Sequence, residues 1–515
     1  MINKAFFTEI GSKFGKFIAA EKRNITKILV SIVALFLTSF LIEYYGFGRQ
    51  FNQYRFLFIL SIGALLLIFY ALRKKIGERP ELGFLAVALI CGSLLVISEP
   101  HKYISWDEQI HYKHAEKAAA TFVSGMFFRP NTVSSSYSIV EQKKIDSLVD
   151  SQYKKPLTKS SGYGFSYDDL PYIPSIIAIV AGNLIHLPYH VTFTFGRWMN
   201  LLFFAVIVFF AIKKMKSVKM VMSVVALLPT SIFLASNYNH DSWLTAFTLL
   251  GLGYLFSELQ QPDKKITWRE VAIMIAAFVI GLGAKSIYFP LMLLMFLLRP
   301  EKFTSTKQYK KYLLAVVLSI LLVLGSLLLP FAVKGTGSGD SRGGSAVNAS
   351  QQIRFILTEP AAYAKTLSNF MLGYIDPRNA FGFTTFFAYL GGFKNYLFYL
   401  VLAILALVTF TDKNEFDKNV ASWKIRVPII IIYLATVALI STALYVAFTP
   451  VGSSGINGVQ PRYLIPLVFP LLLVIGSSRF RNKLNKNIYN TAIFGVMAYV
   501  LLQGTWDLII SRYYQ

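Results

Sequence analysis

Long apolar stretches recur along almost the whole chain, and they restrict its fold more than any other feature of the sequence. A helix needs about 20 apolar residues, with ~17 as a practical minimum, to cross a hydrocarbon core of ~30 Å. The candidate segments are 28–45, 56–72, 82–98, 193–212, 218–236, 242–257, 271–283 paired with 286–298, 312–333, 394–410, 427–447, 463–477 and 488–508. The pattern predicts an all-α polytopic membrane protein with about thirteen transmembrane helices, within a range of roughly 12–14.

The composition agrees with a membrane protein and argues against other classes. Hydrophobic residues make up 55% of the chain and charged residues 15%, which is too apolar for a soluble protein of this length. Lysine and arginine number 51, against 26 aspartate and glutamate, for a net charge of +25. These cations fall in short clusters between apolar segments, so we expect a lipid bilayer and no nucleic acid as partner. The single cysteine, Cys91, rules out an internal disulfide.

The basic clusters also predict an orientation, because loops rich in lysine and arginine stay on the cytoplasmic side. Residues 1–27 carry six such residues before the first apolar segment and no cleavable signal pattern, so we expect a cytoplasmic tail. A single transmembrane domain, 28–515, then follows in the cell membrane. Alternation places two large loops outside, 99–192 and 334–393, both expected to carry short juxtamembrane helices, and the C-terminus outside as well.

Two short segments interrupt the regular alternation. Segment 173–187 contains proline, glycine and asparagine, and the later basic loops fall inside only if it does not cross completely. We therefore interpret it as re-entrant or interfacial. Segments 271–283 and 286–298 flank a glycine-containing break, which predicts a hairpin whose tip carries Lys285.

The strongest candidate for chemistry is the start of the first external loop, Ser105-Trp106-Asp107-Glu108-Gln109-Ile110-His111-Tyr112. Two adjacent carboxylates and an imidazole are the groups of general acid/base catalysis, so Asp107, Glu108 and His111 are candidate catalytic residues. Asp107 and Glu108 are also candidate ligands of a divalent metal such as Mg²⁺ or Mn²⁺. The alternative is a solvated first helical turn, where carboxylates favour the positive helix end.

The predicted topology brings other polar residues to the same outer side. A charge within a spanning helix costs on the order of 3 kcal/mol, so it usually faces a partner or a polar cavity. Arg197, Lys285 and Arg462 are candidates for binding a phosphate, which suits both side chains. Candidate sugar or acceptor ligands are Asn239, His240, Asp241 and Gln460, and the second external loop adds Asp376, Arg378 and Asn379. Carboxylates beside phosphate-binding cations suggest transfer of a group carried on a lipid phosphate.

These motifs carry a family resemblance. Asp107 to His111 after an apolar segment, Asn237 to Asp241, Gly283-Ala284-Lys285 and Gly458 to Tyr463 resemble a bacterial family of predicted membrane proteins (DUF2142-like), from about residue 80 onward. That family in turn resembles the GT-C class of glycosyltransferases. Its acidic motif commonly follows a proline, whereas Ser105-Trp106 stand here.

The resemblance implies an inverting transfer of sugar from a polyprenyl-phosphate donor to a cell-envelope glycan on the outer face of the membrane. It implies Asp107 as the general base or metal ligand, with Glu108 as the second candidate. Arg197, Lys285 and Arg462 would stabilise the departing phosphate. Asn239 and Asp241 would contact sugar or acceptor.

Two other functions remain open. A polysaccharide polymerase or ligase acting on lipid-linked oligosaccharide would share many helices and external arginines. A lipid-linked sugar flippase or transporter would place polar residues through the bilayer depth and would favour internal repeats. The polar residues gather near one face and no repeat is evident, which favours an enzyme.

Overall fold

The computed structural model describes residues 26–99, 105–122, 165–334, 343–373, 381–412, 415–476 and 482–514. This part of the chain is helical almost throughout, and its one β pairing is a bridge between Phe386 and Gly392. The main helices are α1 (Thr26–Gly46), α2 (Gln53–Glu78), α3 (Pro80–Ser98), α4 (Glu108–Ala119), α5 (Ile173–Leu184), α6 (Tyr189–Lys214), α7 (Lys219–Ala226), α8 (Pro229–Ala235), α9 (Asp241–Leu259), α10 (Trp268–Leu282), α11 (Thr306–Lys334), α12 (Ala349–Thr358), α13 (Pro360–Gly373), α14 (Asn395–Thr411), α15 (Trp423–Phe448), α16 (Ile465–Ile475) and α17 (Lys486–Thr505).

Seven helical stretches in the described residues are long and apolar enough to cross a membrane. They are α1, α2, α3, α6, α11, α15 and α17 with its continuation to Tyr513. Shorter apolar helices cover Lys285–Leu297, α14 and Pro461–Ile475. The predicted all-α polytopic fold is confirmed, while the number of crossings stays a prediction.

The predicted helix over 218–236 is wrong as a single element. It divides into α7 and α8, and Pro229 stands in the first turn of α8. Proline lacks an N–H and disfavours helical backbone in the residue before it, and Leu228 accordingly leaves the helical region at ψ 134°. With 8 residues, α7 is roughly 12 Å long and cannot span a bilayer by itself.

The two irregular segments lie close to where the sequence indicated. Helix α5 has 12 residues and is roughly 18 Å long, shorter than the hydrocarbon core of ~30 Å. Whether it crosses stays a prediction. Helix α10 ends at Leu282, and the following 3₁₀ segment, Gly283–Leu297, breaks at Lys285, whose φ of −146° and ψ of 77° are not helical.

Packing among the buried helices fixes the position of α4, which holds part of the candidate site. Helix α9 packs against α6 and α10, and α3 packs against α6. A separate cluster of buried side chains surrounds α4 and includes Tyr112, Ala115, Phe193 and Tyr238. The small buried alanines of α4 let it pack closely against α5.

Candidate active site

Asp107 begins α4 in an unusual backbone conformation. Its φ of 59° and ψ of 15° lie in the left-handed region, which aspartate tolerates better than most residues other than glycine. Its carbonyl oxygen accepts hydrogen bonds from the N–H groups of Ile110 and His111, at 2.8 and 3.1 Å. This turn starts the helix immediately after Trp106.

Glu108 is buried in an ion pair with Arg197, and both side chains are fully shielded from solvent. The guanidinium is bidentate: Nε donates to Oε1 at 2.8 Å and Nη2 to Oε2 at 2.9 Å. Its Nη1 lies 3.5 Å from Glu99 Oε2 at the end of α3, so two carboxylates flank one cation. The backbone N–H of Tyr238 adds a further donor to Glu108 Oε1 at 3.3 Å. Sequence reasoning selected Glu108 and Arg197 separately, did not pair them, and missed Glu99.

Four charged side chains from four parts of the chain form a second group, which we call the charge cluster: Asp107, Asp241, Lys285 and Arg462. Lys285 Nζ lies 2.5 Å from Asp241 Oδ1, and Arg462 Nε lies 3.0 Å from Asp241 Oδ2. Arg462 Nη2 also lies 3.6 Å from Asp107 Oδ2. Arg462 thus lies between the two aspartates, and the two carboxylates balance the two cations. Asp107 is the most exposed of the four, at 30% of its side chain.

Aromatic rings support both cations of the charge cluster. Lys285 Nζ lies 4.0 Å from the centre of the Tyr463 ring, and Arg462 Cζ lies 4.6 Å from the centre of the Trp106 ring. Such cation–π contacts each contribute about 0.5–2 kcal/mol and fix the cation over the ring face. The break at Lys285 releases its side chain from the helix, which lets it reach both Asp241 and Tyr463.

Two histidines meet one tyrosine next to the charge cluster. His111 Nδ1 lies 2.6 Å from the Tyr172 hydroxyl, and His240 Nδ1 lies 3.4 Å from the same oxygen. The imidazole rings of His111 and His240 meet edge to face at 4.5 Å. Burial lowers the pKa of His111 to about 4, against opposing pulls from nearby carboxylates, so this histidine is neutral at pH 7. Sequence reasoning missed Tyr172, which no motif distinguishes from the many other tyrosines.

The remaining predicted site residues occupy different settings. Asn239 is bound to backbone: its Nδ2 donates to Leu234 O, and its Oδ1 accepts from Ser242 N at 2.9 Å, which caps α9. Gln460 Oε1 is buried without a hydrogen-bond partner among the described residues. Asp376, Arg378 and Asn379 lie outside the described residues.

A cleft of about 380 Å³ opens next to the charge cluster. Asp168, Lys285, Ser286 and Tyr463 supply polar groups to its lining, and Ser286 Oγ also lies 2.7 Å from Ser326 Oγ of α11. The rest of the wall is mostly apolar and comes from α11, α15 and the 3₁₀ segment: Ile287, Leu327, Ile440, Ala443 and Leu444. The cleft therefore combines a polar lining, with one cation (Lys285) and one carboxylate (Asp168), and a hydrocarbon-compatible wall.

The charged residues around this cleft, from Asp107 to Arg462, all fall within one matched region of sequence. Residues 89–471 match the family model described as a predicted membrane protein, DUF2142. The chain belongs to this family. The DUF2142 match covers the charge cluster, the buried Glu108 and Arg197 pair and the cleft together. No curated protein and no solved structure matches the chain significantly.

The predicted metal site does not fit the contacts of its two carboxylates in this DUF2142 protein. Glu108 is bonded to Arg197, whereas Asp107 faces Arg462, so each carboxylate already has a different cationic partner. In the residues that the structure describes, no three His, Cys, Asp or Glu side chains gather as metal ligands would. The charges that neutralise Asp107 and Asp241 come from the protein itself.

Proposed function

We propose that this protein is a membrane glycosyltransferase that transfers a sugar from a polyprenyl-phosphate donor to a cell-envelope glycan on the outer face of the membrane. The observation that carries the proposal is the position of the cleft. Lys285, in the polar lining of the cleft, adjoins an apolar wall between α11 and α15, and the partly exposed carboxylate of Asp107 lies on the other side of Arg462. A lipid phosphate needs both a cation and an apolar groove.

Arg462 is the second reason to favour a phosphate ligand. Its side chain is 3% exposed, and Nη1 has no hydrogen-bond acceptor among the described residues. A buried N–H without a partner costs about 1–3 kcal/mol, and a phosphate oxygen would satisfy it with a charge-assisted bond. Lys285 and Arg462 would then stabilise the negative charge that grows on the departing phosphate.

Asp107 is the carboxylate best placed to receive a proton. Glu108 is fully buried against Arg197, and Asp241 is held between two cations, whereas the Asp107 side chain keeps 30% of its surface. In the proposed single displacement, the acceptor oxygen forms a bond to the anomeric carbon while the bond from that carbon to the phosphate oxygen breaks. The acceptor proton passes to Asp107, and the electron pair leaves with the phosphate. We assign Glu108 and Arg197 to holding α4 in place.

The test is transfer of radiolabelled sugar from a panel of polyprenyl-phosphate sugars to cell-envelope acceptors by the purified protein in lipid nanodiscs. Asp107→Asn should lower transfer by about 10²–10⁴-fold, the range of a general base. The exposed Asp263→Asn is the matched control and should leave transfer unchanged.

Each outcome distinguishes one part of the proposal. Transfer that survives Asp107→Asn keeps the class and moves the base to Glu108 or Asp241. No transfer from any monophosphate donor, with a competent acceptor present, contradicts the proposal and favours a polymerase or ligase on lipid-linked oligosaccharide, or a flippase.

A further inference from the structure

The side chains of Asp241, His240, Tyr172 and His111 lie in one continuous row. His240 Nε2 lies 3.5 Å from Asp241 Oδ1, His240 Nδ1 lies 3.4 Å from the Tyr172 hydroxyl, and that hydroxyl lies 2.6 Å from His111 Nδ1. The row joins α4, the 3₁₀ turn Tyr167–Tyr172 and the start of α9. His114, whose ring centre lies 4.6 Å from that of Tyr172, contacts Asp169 instead, at 2.6 Å.

The carboxylate at one end favours one direction for the two hydrogen bonds to the Tyr172 hydroxyl. A lone pair on His240 Nε2 would repel Asp241 Oδ1 at 3.5 Å, so this electrostatic contact favours the tautomer with the proton on Nε2. A neutral His240 then has its lone pair on Nδ1, which accepts from the Tyr172 O–H. Since the tyrosine proton is used there, the hydroxyl oxygen accepts from His111 Nδ1–H. His111 is left with its lone pair on Nε2.

Both histidines are neutral, as this direction requires. Burial lowers the pKa of His240 below its usual range, and the neighbouring Lys285 lowers it further. His111 lies in the field of all four members of the charge cluster, and burial dominates its lowered pKa. Its Nε2 makes no hydrogen bond to any described residue. Beside two cations and two carboxylates, Nε2 is an uncharged acceptor.

We propose that His111 Nε2 binds a hydroxyl group of the sugar that is transferred, and that Tyr172 and His240 are positioning residues that fix the tautomer needed for this bond. The proposal rests on the proposed function, because it assigns a polyhydroxylated ligand to the same site. It gives His111 a role in sugar selection and not in proton transfer, which stays with Asp107. A site that hydrogen-bonds a substrate hydroxyl can reject the analogue lacking it by about 10⁴–10⁵-fold.

The tautomers can be measured without any activity. Nitrogen-15 NMR of the full-length protein in nanodiscs, with labelled histidine, resolves protonated from unprotonated ring nitrogens, and His→Gln variants assign the six histidines. We expect His111 protonated on Nδ1 and His240 on Nε2. Tyr172→Phe should give His111 a mixture of tautomers, whereas the exposed Tyr389→Phe should not. The opposite tautomers, or no effect of Tyr172→Phe, would overturn the proposed direction of these hydrogen bonds.

The ligand is tested with two probes, a short-chain prenyl-phosphate sugar and the same prenyl phosphate without sugar. Only the first should shift the His111 Nε2 resonance, and a series of deoxy sugars should identify one hydroxyl whose removal abolishes the shift. Prenyl phosphate and prenyl-phosphate sugar giving the same response would overturn the hydroxyl assignment and leave the proposed function standing. No response of any site resonance to either probe would contradict the proposed function as well.

Discussion

Asp107 and Glu108 are consecutive residues whose carboxylates contact different arginines. Asp107 Oδ2 lies 3.6 Å from Arg462 Nη2 and keeps solvent access, whereas Glu108 Oε1 lies 2.8 Å from Arg197 Nε and has none. The left-handed backbone at Asp107 separates the last residue of the loop from the first residue of the helix. One carboxylate of the pair is thus partly open to solvent, and the other is buried against Arg197.

We expect the buried pair of Glu108 and Arg197 to dominate the stability of the packing around α4. Glu108→Gln and Arg197→Met should each lower the free energy of unfolding by about 3–5 kcal/mol, because each leaves a buried charge without its full partner. Thermal unfolding in detergent measures the loss. The exposed Glu359→Gln should change stability by less than ~0.5 kcal/mol. A double variant whose loss equals the sum of the single losses would contradict direct coupling between the two side chains.

Arg462→Lys should separate charge from geometry in the charge cluster. Lysine keeps the positive charge but cannot reach Asp107 and Asp241 with one planar group. We expect sugar transfer to fall by at least ~10-fold with little change in the thermal midpoint. Arg354→Lys, at an exposed position on α12, is the control. Normal transfer by Arg462→Lys would show that only the charge matters.

Filling the apolar wall of the cleft should weaken binding of the lipid chain. Ala443→Trp on α15 should raise KM for a long-chain polyprenyl-phosphate sugar by roughly 10-fold and leave a short-chain donor little affected, because only the long chain needs the wall. Ala435→Trp places the same side chain on an exposed position of the same helix and serves as the control. Equal effects on long and short donors would place the prenyl chain elsewhere.

Stability should fall in mild acid. Burial lowers the pKa of His111 to about 4 in the folded protein, against ~6.5 in an unfolded chain. Below pH ~6.5 the unfolded chain therefore binds a proton that the folded site does not, so stability is full above this pH and decreases as pH falls toward 4. Between pH 6.5 and 5 the contribution of His111 is on the order of 2 kcal/mol. The thermal midpoint measured across this range should fall less steeply in His111→Gln, and the exposed His186→Gln should follow the wild type.

A close approach at Gly196 predicts a further contrast. A Cβ on this residue of α6 would lie 1.9 Å from the hydroxyl oxygen of Tyr238, whose backbone N–H contacts Glu108. Gly196→Ala should destabilise the protein by about 1–3 kcal/mol through overpacking. Gly495→Ala, with nothing within 4 Å of the new Cβ, should be neutral or stabilising by up to ~1 kcal/mol. Equal thermal midpoints for the two variants would show that Tyr238 moves without cost.

The sequence predicts elements whose cause is local, and misses those set by packing. Apolar length identifies α2, α3 and α6, because the bilayer demands it. The alternating orientation of successive helices places Asp107, Asp241 and Arg462 on the same side of the membrane in the prediction, because it requires only the number of crossings between them. The pairing of Arg197 with Glu108 could not be predicted. Arg197 and Arg462 could each form an ion pair with Asp107 or Glu108, and only the packing of the helices decides between them. Pro229 itself indicates a helix break, but the length of the apolar stretch 218–236 favours a single helix in the sequence prediction.

The charge balance of the cluster has a consequence for turnover under the proposed reaction. A prenyl-phosphate sugar is a phosphodiester with a charge of about −1, whereas the prenyl phosphate left behind carries about −1.5 to −2 at neutral pH. A neutral set of Asp107, Asp241, Lys285 and Arg462 has no surplus cation to hold the second negative charge. Protonated Asp107 supplies that surplus for as long as it keeps the acceptor's proton. Loss of this proton to water would then trigger release of the spent carrier, so product inhibition is limited by the lifetime of one protonated carboxyl group.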